Sequence, residues 1–149
     1  MTRGDRQVSR AVVVAAPPQE IFDLLADPRR HPELDGSGTL TGRPTGPDRL
    51  SLGARFGMSL HFHGVPYRVT NTVVEFVEGR LIAWRHFYRH VWRWELEPVD
   101  VDGEPGTRVT ETFDWGPAMS PQLLEWGKYP GLNARGMEQT LSQLQTRFA

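Results

Sequence analysis

Along Ala54 to His63 apolar and polar residues alternate. Phe56, Met58, Leu60 and Phe62 take the even positions, and Arg55, Gly57, Ser59, His61 and His63 the odd ones. A period of two puts each set on one side of an extended chain, so the segment predicts a strand with a single buried face. The pattern returns in His90 to Val99, where Trp92, Trp94 and Leu96 oppose Arg93, Glu95 and Glu97. In Arg108 to Trp115, Val109, Phe113 and Trp115 lie opposite Thr110, Thr112 and Asp114. Val8 to Ala15, Tyr67 to Val77 and Leu81 to Tyr88 predict further strands, and Thr39 to Arg43 an edge strand.

Elsewhere the apolar spacing turns helical. Pro18 to Leu25 carries Ile21, Phe22, Leu24 and Leu25, with a proline suited to a first helical turn, and Asp27-Pro28 ends it. A second short helical turn is expected through Arg29 to Leu34. Pro121 to Trp126 predicts another helical piece, interrupted near Tyr129-Pro130-Gly131. From Leu132 onward, Met137, Leu141, Leu144 and Phe148 form a stripe that must bury against something. Glu78-Gly79-Arg80, Asp102 to Gly106 and Gly116-Pro117 mark turns between elements. Strands on short connections form an antiparallel meander. A one-sided sheet beside one long helix is most economically closed by curling around it. The expectation is one α+β domain over 1–149, with six to seven strands, two short helices after the first strand and a long C-terminal helix.

A chain of 149 residues can bury a core without staples. Its 17 basic and 18 acidic side chains give no push toward nucleic acid, and the arginines are spread along the chain. Having no cysteine, it forms no disulfide, thiolate metal site or cysteine nucleophile. Met1 to Arg6 is polar with no apolar run behind it, and no stretch reaches the roughly 18 residues of a membrane span. The expectation is therefore a cytoplasmic protein without membrane insertion. Neither a nucleophile elbow nor a phosphate-binding glycine loop nor a dinucleotide fingerprint is present, so no cofactor is expected.

Five Trp and seven Phe are the unusual numbers, because most of them fall between Phe56 and Trp126. The faces Phe56/Met58/Leu60, Trp92/Trp94 and Phe113 read either as the wall of an apolar pocket or as ordinary core. Glu111 shares strand parity with Val109, Phe113 and Trp115, which points a carboxylate inward. A buried carboxylate must be paired, hydrogen-bonded or protonated, and this is how a general acid or base is made. Arg85 is its natural partner if the parity of Leu81, Ala83 and Phe87 is the inward one. With the opposite parity, His86 and Tyr88 become the inner polar groups. Likewise Arg68, Thr70 and Thr72 face inward with Val74 and Phe76, or else Asn71 does. His61 and His63 share one side of a strand, but that side is the expected solvent face and no third metal ligand is apparent. His31 either packs between the short helices or borders an entrance. On the terminal segment, Leu123, Trp126, Tyr129, Leu132, Asn133 and Met137 lie where a helix would roof a cavity, with Tyr129 and Asn133 as polar contacts.

Val8-Ser9-Arg10, Pro17 to Phe22, Asp27 to Pro32, Gly106 to Thr112 and the terminal Leu141-x-x-Leu144 together resemble START-like (SRPBCC) proteins of the polyketide cyclase/dehydrase type. The likeness covers nearly the whole chain and rests on structural rather than catalytic motifs. It implies the helix-grip fold and a deep cavity for a hydrophobic small molecule, lipid- or polyketide-like. Members include carriers, receptors and cyclases/aromatases, so the resemblance alone does not choose among them. A cyclase would use Glu111, with Arg85, as its acid or base. The edge strand near Thr39 to Arg43 offers a route to an oligomer.

Overall fold

A computed structural model describes residues 6–34, 40–62 and 64–149. Seven strands form one antiparallel sheet: β1 (Gln7–Val14), β2 (Leu40–Thr45), β3 (Arg55–Phe62), β4 (Val65–Val77), β5 (Leu81–Arg85), β6 (Val91–Val101) and β7 (Glu104–Asp114). Their spatial order is β1-β7-β6-β5-β4-β3-β2. Every neighbour after β1 is consecutive in the chain, and β1 crosses to the far edge to pair with β7. Between β1 and β2 lie α1 (Pro18–Leu25), a 3-10 turn at Pro28–Arg30 and α2 (His31–Leu34); after β7 come α3 (Pro121–Trp126) and α4 (Tyr129–Arg147). This is the expected helix-grip fold, and no helix among the described residues is long and apolar enough to cross a membrane.

Local sequence explains the element ends. Pro18 opens α1, where its missing N–H is not needed, and the Asp27 carboxylate accepts the Arg29 backbone N–H at 3.0 Å to start the 3-10 turn. Asp102 and Gly103, both at positive φ (52° and 86°), turn β6 tightly into β7, so β7 begins earlier than the glycine- and proline-rich sequence suggested. The terminal helix is not broken at Tyr129-Pro130-Gly131. The break falls at Gly127 and left-handed Lys128 (φ 61°), and Pro130 sits in the first turn of α4, where proline is tolerated.

Register decides which side chains face α4. Val12 opposes Val109, Val109 opposes Leu96, and Trp94 opposes both Glu111 and Ile82, so these residues share the concave face. On β5 the inward residues are Ile82 and Trp84; Arg85 is exposed. The parity that would have brought Arg85 to Glu111 is thus the outward one. In β4 a bulge between Val73 and Glu75 inserts one residue, and this reverses the alternation partway along the strand. Val69, Asn71 and Val73 therefore face in before the bulge, and Phe76 after it. The expectation that Arg68, Thr70 and Thr72 face inward, drawn from the parity of Phe76, is corrected for that reason.

α4 lays Ala134, Met137, Thr140, Leu141 and Leu144 against the sheet, chiefly along β1. At the closed end Val14, Ile21, Phe22, Leu25, Val109 and Leu144 are sealed from solvent, each contributing about 1.5–3 kcal/mol by burial. The outer face is polar and cross-linked: Ser9 and Thr112 hydroxyls meet at 2.7 Å, and the Arg93 guanidinium grips both Glu75 oxygens at 2.9 and 2.7 Å.

Candidate functional site

Glu111 occupies the middle of the concave face. Its strand neighbours Val109 and Phe113 are fully buried, its cross-strand neighbours are Trp94 and Arg10, and it is itself only 6% exposed. The inward carboxylate expected from parity is therefore present. Arg10 turns aside to Glu138 on α4, at 2.9 Å from its Oε1. Aromatic pairs share this face with Glu111. Phe113 packs on Trp92 (centroids 4.8 Å apart) and stacks with Trp115 at 5.5 Å, while Phe56 meets Trp84 edge-on at 5.3 Å. Of the residues expected to line a pocket, Phe56, Trp94, Phe113 and Met137 are buried, and Met58, Trp92, Tyr129 and Asn133 half-buried. The Leu60 side chain and the His61/His63 pair lie outside the described residues, although the Leu60 backbone pairs with Tyr67.

Polar atoms punctuate this wall. The His31 ring stacks on Trp84 at 5.1 Å and meets Phe56 edge-on at 5.3 Å. Its Nε2 lies 2.8 Å from the Leu25 carbonyl, which can only accept, so the neutral ring carries its proton there and presents a bare Nδ1. Burial holds this imidazole below its ordinary pKa, which keeps it neutral. His31 is thus a core residue that packs between α1 and the sheet. Among the described residues its Nδ1, the Nδ1 of His90 and the indole Nε1 of Trp94 are all buried without a hydrogen-bond partner. Such groups normally find one, since burial otherwise costs about 1–3 kcal/mol.

At the open end the β5–β6 turn carries His86 and His90, stacked at 4.3 Å, with His90 edge-on to Phe113 at 5.3 Å. Burial lowers His86 to about 4, and burial together with the neighbouring His86 lowers His90 to about 3. Tyr88 packs into the same apolar cluster as Phe113, Trp115, Leu124 and Met137. The inner polar groups of this strand and its turn are therefore His86, Tyr88 and His90. Of these His90 was missed, although it shares its parity with Trp92 and Trp94 and was legible on that ground.

α3 is pinned over this end by the Trp115 indole N–H, which donates to Glu125 Oε2 at 2.7 Å; Arg6 joins at 3.1 Å. The indole, then the guanidinium, hold the Glu125 carboxyl below the usual carboxylate range. Trp126 does not roof the interior: it is 84% exposed, and Leu123, Leu132, Met119 and Phe87 are exposed with it. Burial, and then the Tyr129 phenol, raise the Tyr67 pKa. Among the described residues no three His, Asp or Glu side chains gather to hold a metal. A depression of about 280 Å³ lined by Arg80, Glu95, Glu97 and Arg108 lies on the outer face, away from Glu111.

The family model of polyketide cyclase / dehydrase and lipid transport proteins matches residues 5–149. The uncharacterized protein Rv0088 of Mycobacterium tuberculosis is 41% identical over 98% of this chain, and the chain spans 66% of that relative's length. Among solved structures, a START superfamily protein of Mycobacterium smegmatis superposes with a TM-score of 0.69 at 17% identity, covering 95% of this chain and 96% of that one. Protein NE0264 of Nitrosomonas europaea gives 0.71 at 14% identity, covering 97% and 95%. At such identities the likeness is one of fold.

Proposed function

The chain belongs to the START-like polyketide cyclase/dehydrase and lipid transport family, and on that premise we propose that its concave interior binds a hydrophobic small molecule, lipid- or polyketide-like. The observation that carries this reading is Glu111, a carboxylate held in the middle of an aromatic wall. An apolar surface with a few convergent polar groups is what a small-molecule site requires. Trp92, Trp94, Phe113 and Met137 supply the contact area. Glu111 and the unpartnered nitrogens of His31, His90 and Trp94 supply orientation. Half-buried Tyr129 and Asn133, at the start of α4, face the ligand from the helix side. Arg85, exposed on the outer face, has no part in it.

Native mass spectrometry of protein purified from its own host tests the reading. A co-purifying molecule of lipid or polyketide size is expected, and repeated recovery of bare protein argues against it.

A second reading is a cyclase/aromatase-type enzyme, favoured by the same carboxylate. The interior would hold a polyketide-like chain folded, and Glu111 would move the proton for ring closure and dehydration. Under it, Glu111→Gln retains ligand binding and loses turnover by roughly 10²–10⁴-fold, the usual contribution of a general acid or base. Unchanged turnover removes Glu111 from the chemistry.

A further inference from the structure

Eight arginines among the described residues are held by carboxylates, as Arg49 is by Asp23 and Glu78, and Arg93 by Glu75. Six are not: among the described residues Arg80, Arg89 and Arg135 make no salt bridge, and neither do three exposed arginines on neighbouring strands, Arg55 of β3, Arg68 of β4 and Arg85 of β5. These last three share the outer face. Thr72 pairs with Arg55 on one side and Arg85 on the other, so one row of the sheet reads Arg55–Thr72–Arg85. The adjacent row reads Thr45–Gly57–Thr70.

Arg68 bends toward this second row. Its Nη2 reaches Thr45 Oγ1 at 3.5 Å and passes 3.5 Å from the place a Cβ on Gly57 would occupy. That Cβ would also stand 2.6 Å from Thr45 Oγ1, so a side chain at position 57 would force the Thr45 hydroxyl aside. Together Thr45, Gly46, Arg55, Gly57, Arg68 and Thr70 line a depression of about 190 Å³. Asp48, on the loop that leaves β2, is turned to Arg29 at 3.4 Å.

Two guanidinium groups line one depression with hydroxyls between them, and none of its described lining residues is a carboxylate. The space is smaller than the roughly 300–1,000 Å³ of a site for a whole drug-sized molecule, but it admits a compact charged group. The planar guanidinium fork matches phosphate oxygens in pairs, and threonine hydroxyls add donors.

We propose that this outer depression between β2, β3 and β4 is a binding site for a phosphate monoester group. It lies on the face of the sheet opposite Glu111, so its occupant is distinct from whatever fills the interior. The group is carried either by a soluble phosphate ester or by an anionic lipid headgroup, and the two share the chemistry.

Titration of the ¹⁵N-labelled protein with phenyl phosphate, followed by amide shifts, tests the site. Saturable shifts at the amides of Thr45, Gly57 and Thr70 are expected, and sodium chloride at equal ionic strength does not reproduce them. Arg68→Gln and Arg55→Gln each weaken binding by about tenfold, and Gly57→Ala weakens it as well. Arg108→Gln, which alters an arginine paired with Glu97 on another part of the sheet, leaves binding unchanged. Both arginines are exposed, so unaltered spectra of the free variants confirm that they fold. Sedimentation with phosphatidylcholine vesicles containing phosphatidic acid, lost in Arg68→Gln, assigns the headgroup as the source. Binding of phenyl phosphate without sedimentation assigns a soluble ester. Shifts matched by chloride, or full affinity in both arginine variants, overturn the proposal, and neither result bears on the interior ligand.

Discussion

The two ends of the grip are built from similar residues and solve different problems. At the closed end Ile21, Phe22, Leu24 and Leu25 of α1 interlock with Val109, Leu141 and Leu144, all at most 1% exposed. At the open end Phe113 and Met137 are equally buried, but half-buried Trp92, Tyr88 and Tyr129 surround them, and Phe87, Met119, Leu123, Trp126 and Leu132 stand in solvent beyond. The closed end spends its aromatic and aliphatic area on packing. The open end keeps apolar area uncovered and places imidazoles beside it, an arrangement that packing alone does not explain.

Four measurements sharpen that contrast. The largest effect is expected from Phe22→Ala at the closed end. Phe22 meets Phe76 edge-on at 5.4 Å with the Arg49 guanidinium 5.7 Å over its ring, and the truncation should cost about 3–5 kcal/mol in denaturant unfolding. A loss below about 1 kcal/mol would show that this end is not the rigid one.

Acid should act on the open end next. His86 and His90 titrate at about 4 and about 3 in the folded protein against an ordinary 6.5, so between those values the unfolded chain binds more protons. Stability is therefore complete above pH 6.5 and is lost as pH falls toward 3. The pair contributes about 1–3 kcal/mol of this, discounted for the partial exposure of both rings. Asp27 and Glu125, held low by Arg29 and by Trp115, begin to act only below their ordinary 3.8 and 4.5. Urea midpoints taken between pH 6.5 and 5 thus exclude the carboxylates but include buried His31, also held below its ordinary value. A His86→Asn/His90→Asn variant should therefore show a shallower decline with the His31 share remaining. An equal decline in the variant would assign the effect elsewhere.

Ser120 caps α3 by accepting the Leu123 N–H at 3.3 Å, and Ser120→Ala should cost about 1 kcal/mol. Trp126→Ala, at the exposed rim, should change stability by no more than about 0.5 kcal/mol while weakening uptake of an apolar fluorescent probe. A large loss of stability there would mean that Trp126 is covered in the working protein.

Much of this was open to sequence reasoning. The alternation in β3, β6 and β7 is regular because each strand has one wet and one dry face, so the inward set Phe56, Trp94, Glu111 and Phe113 followed from period two alone. The helical stripe Met137, Leu141 and Leu144 followed from the other period. Two short segments escaped. Leu81 to Tyr88 is apolar on both faces, Ala83 being as buried as Ile82, so no count of apolar residues could separate Trp84 from Arg85. In β4 the inserted residue leaves no mark in composition, yet it exchanges the faces of everything beyond it and decided for Asn71 over Thr70 and Thr72.

What the sequence determined by itself was each strand's own division into two faces, because that depends only on local chain geometry. Which face meets the helix, where a bulge reverses it, and which side chains from distant strands share a surface were decided by pairing. That is how Arg55, Arg68 and Thr45 came to line one depression, and how His31 came to lie on Trp84. Pairing is a cooperative choice of register among seven strands, and no single strand encodes it.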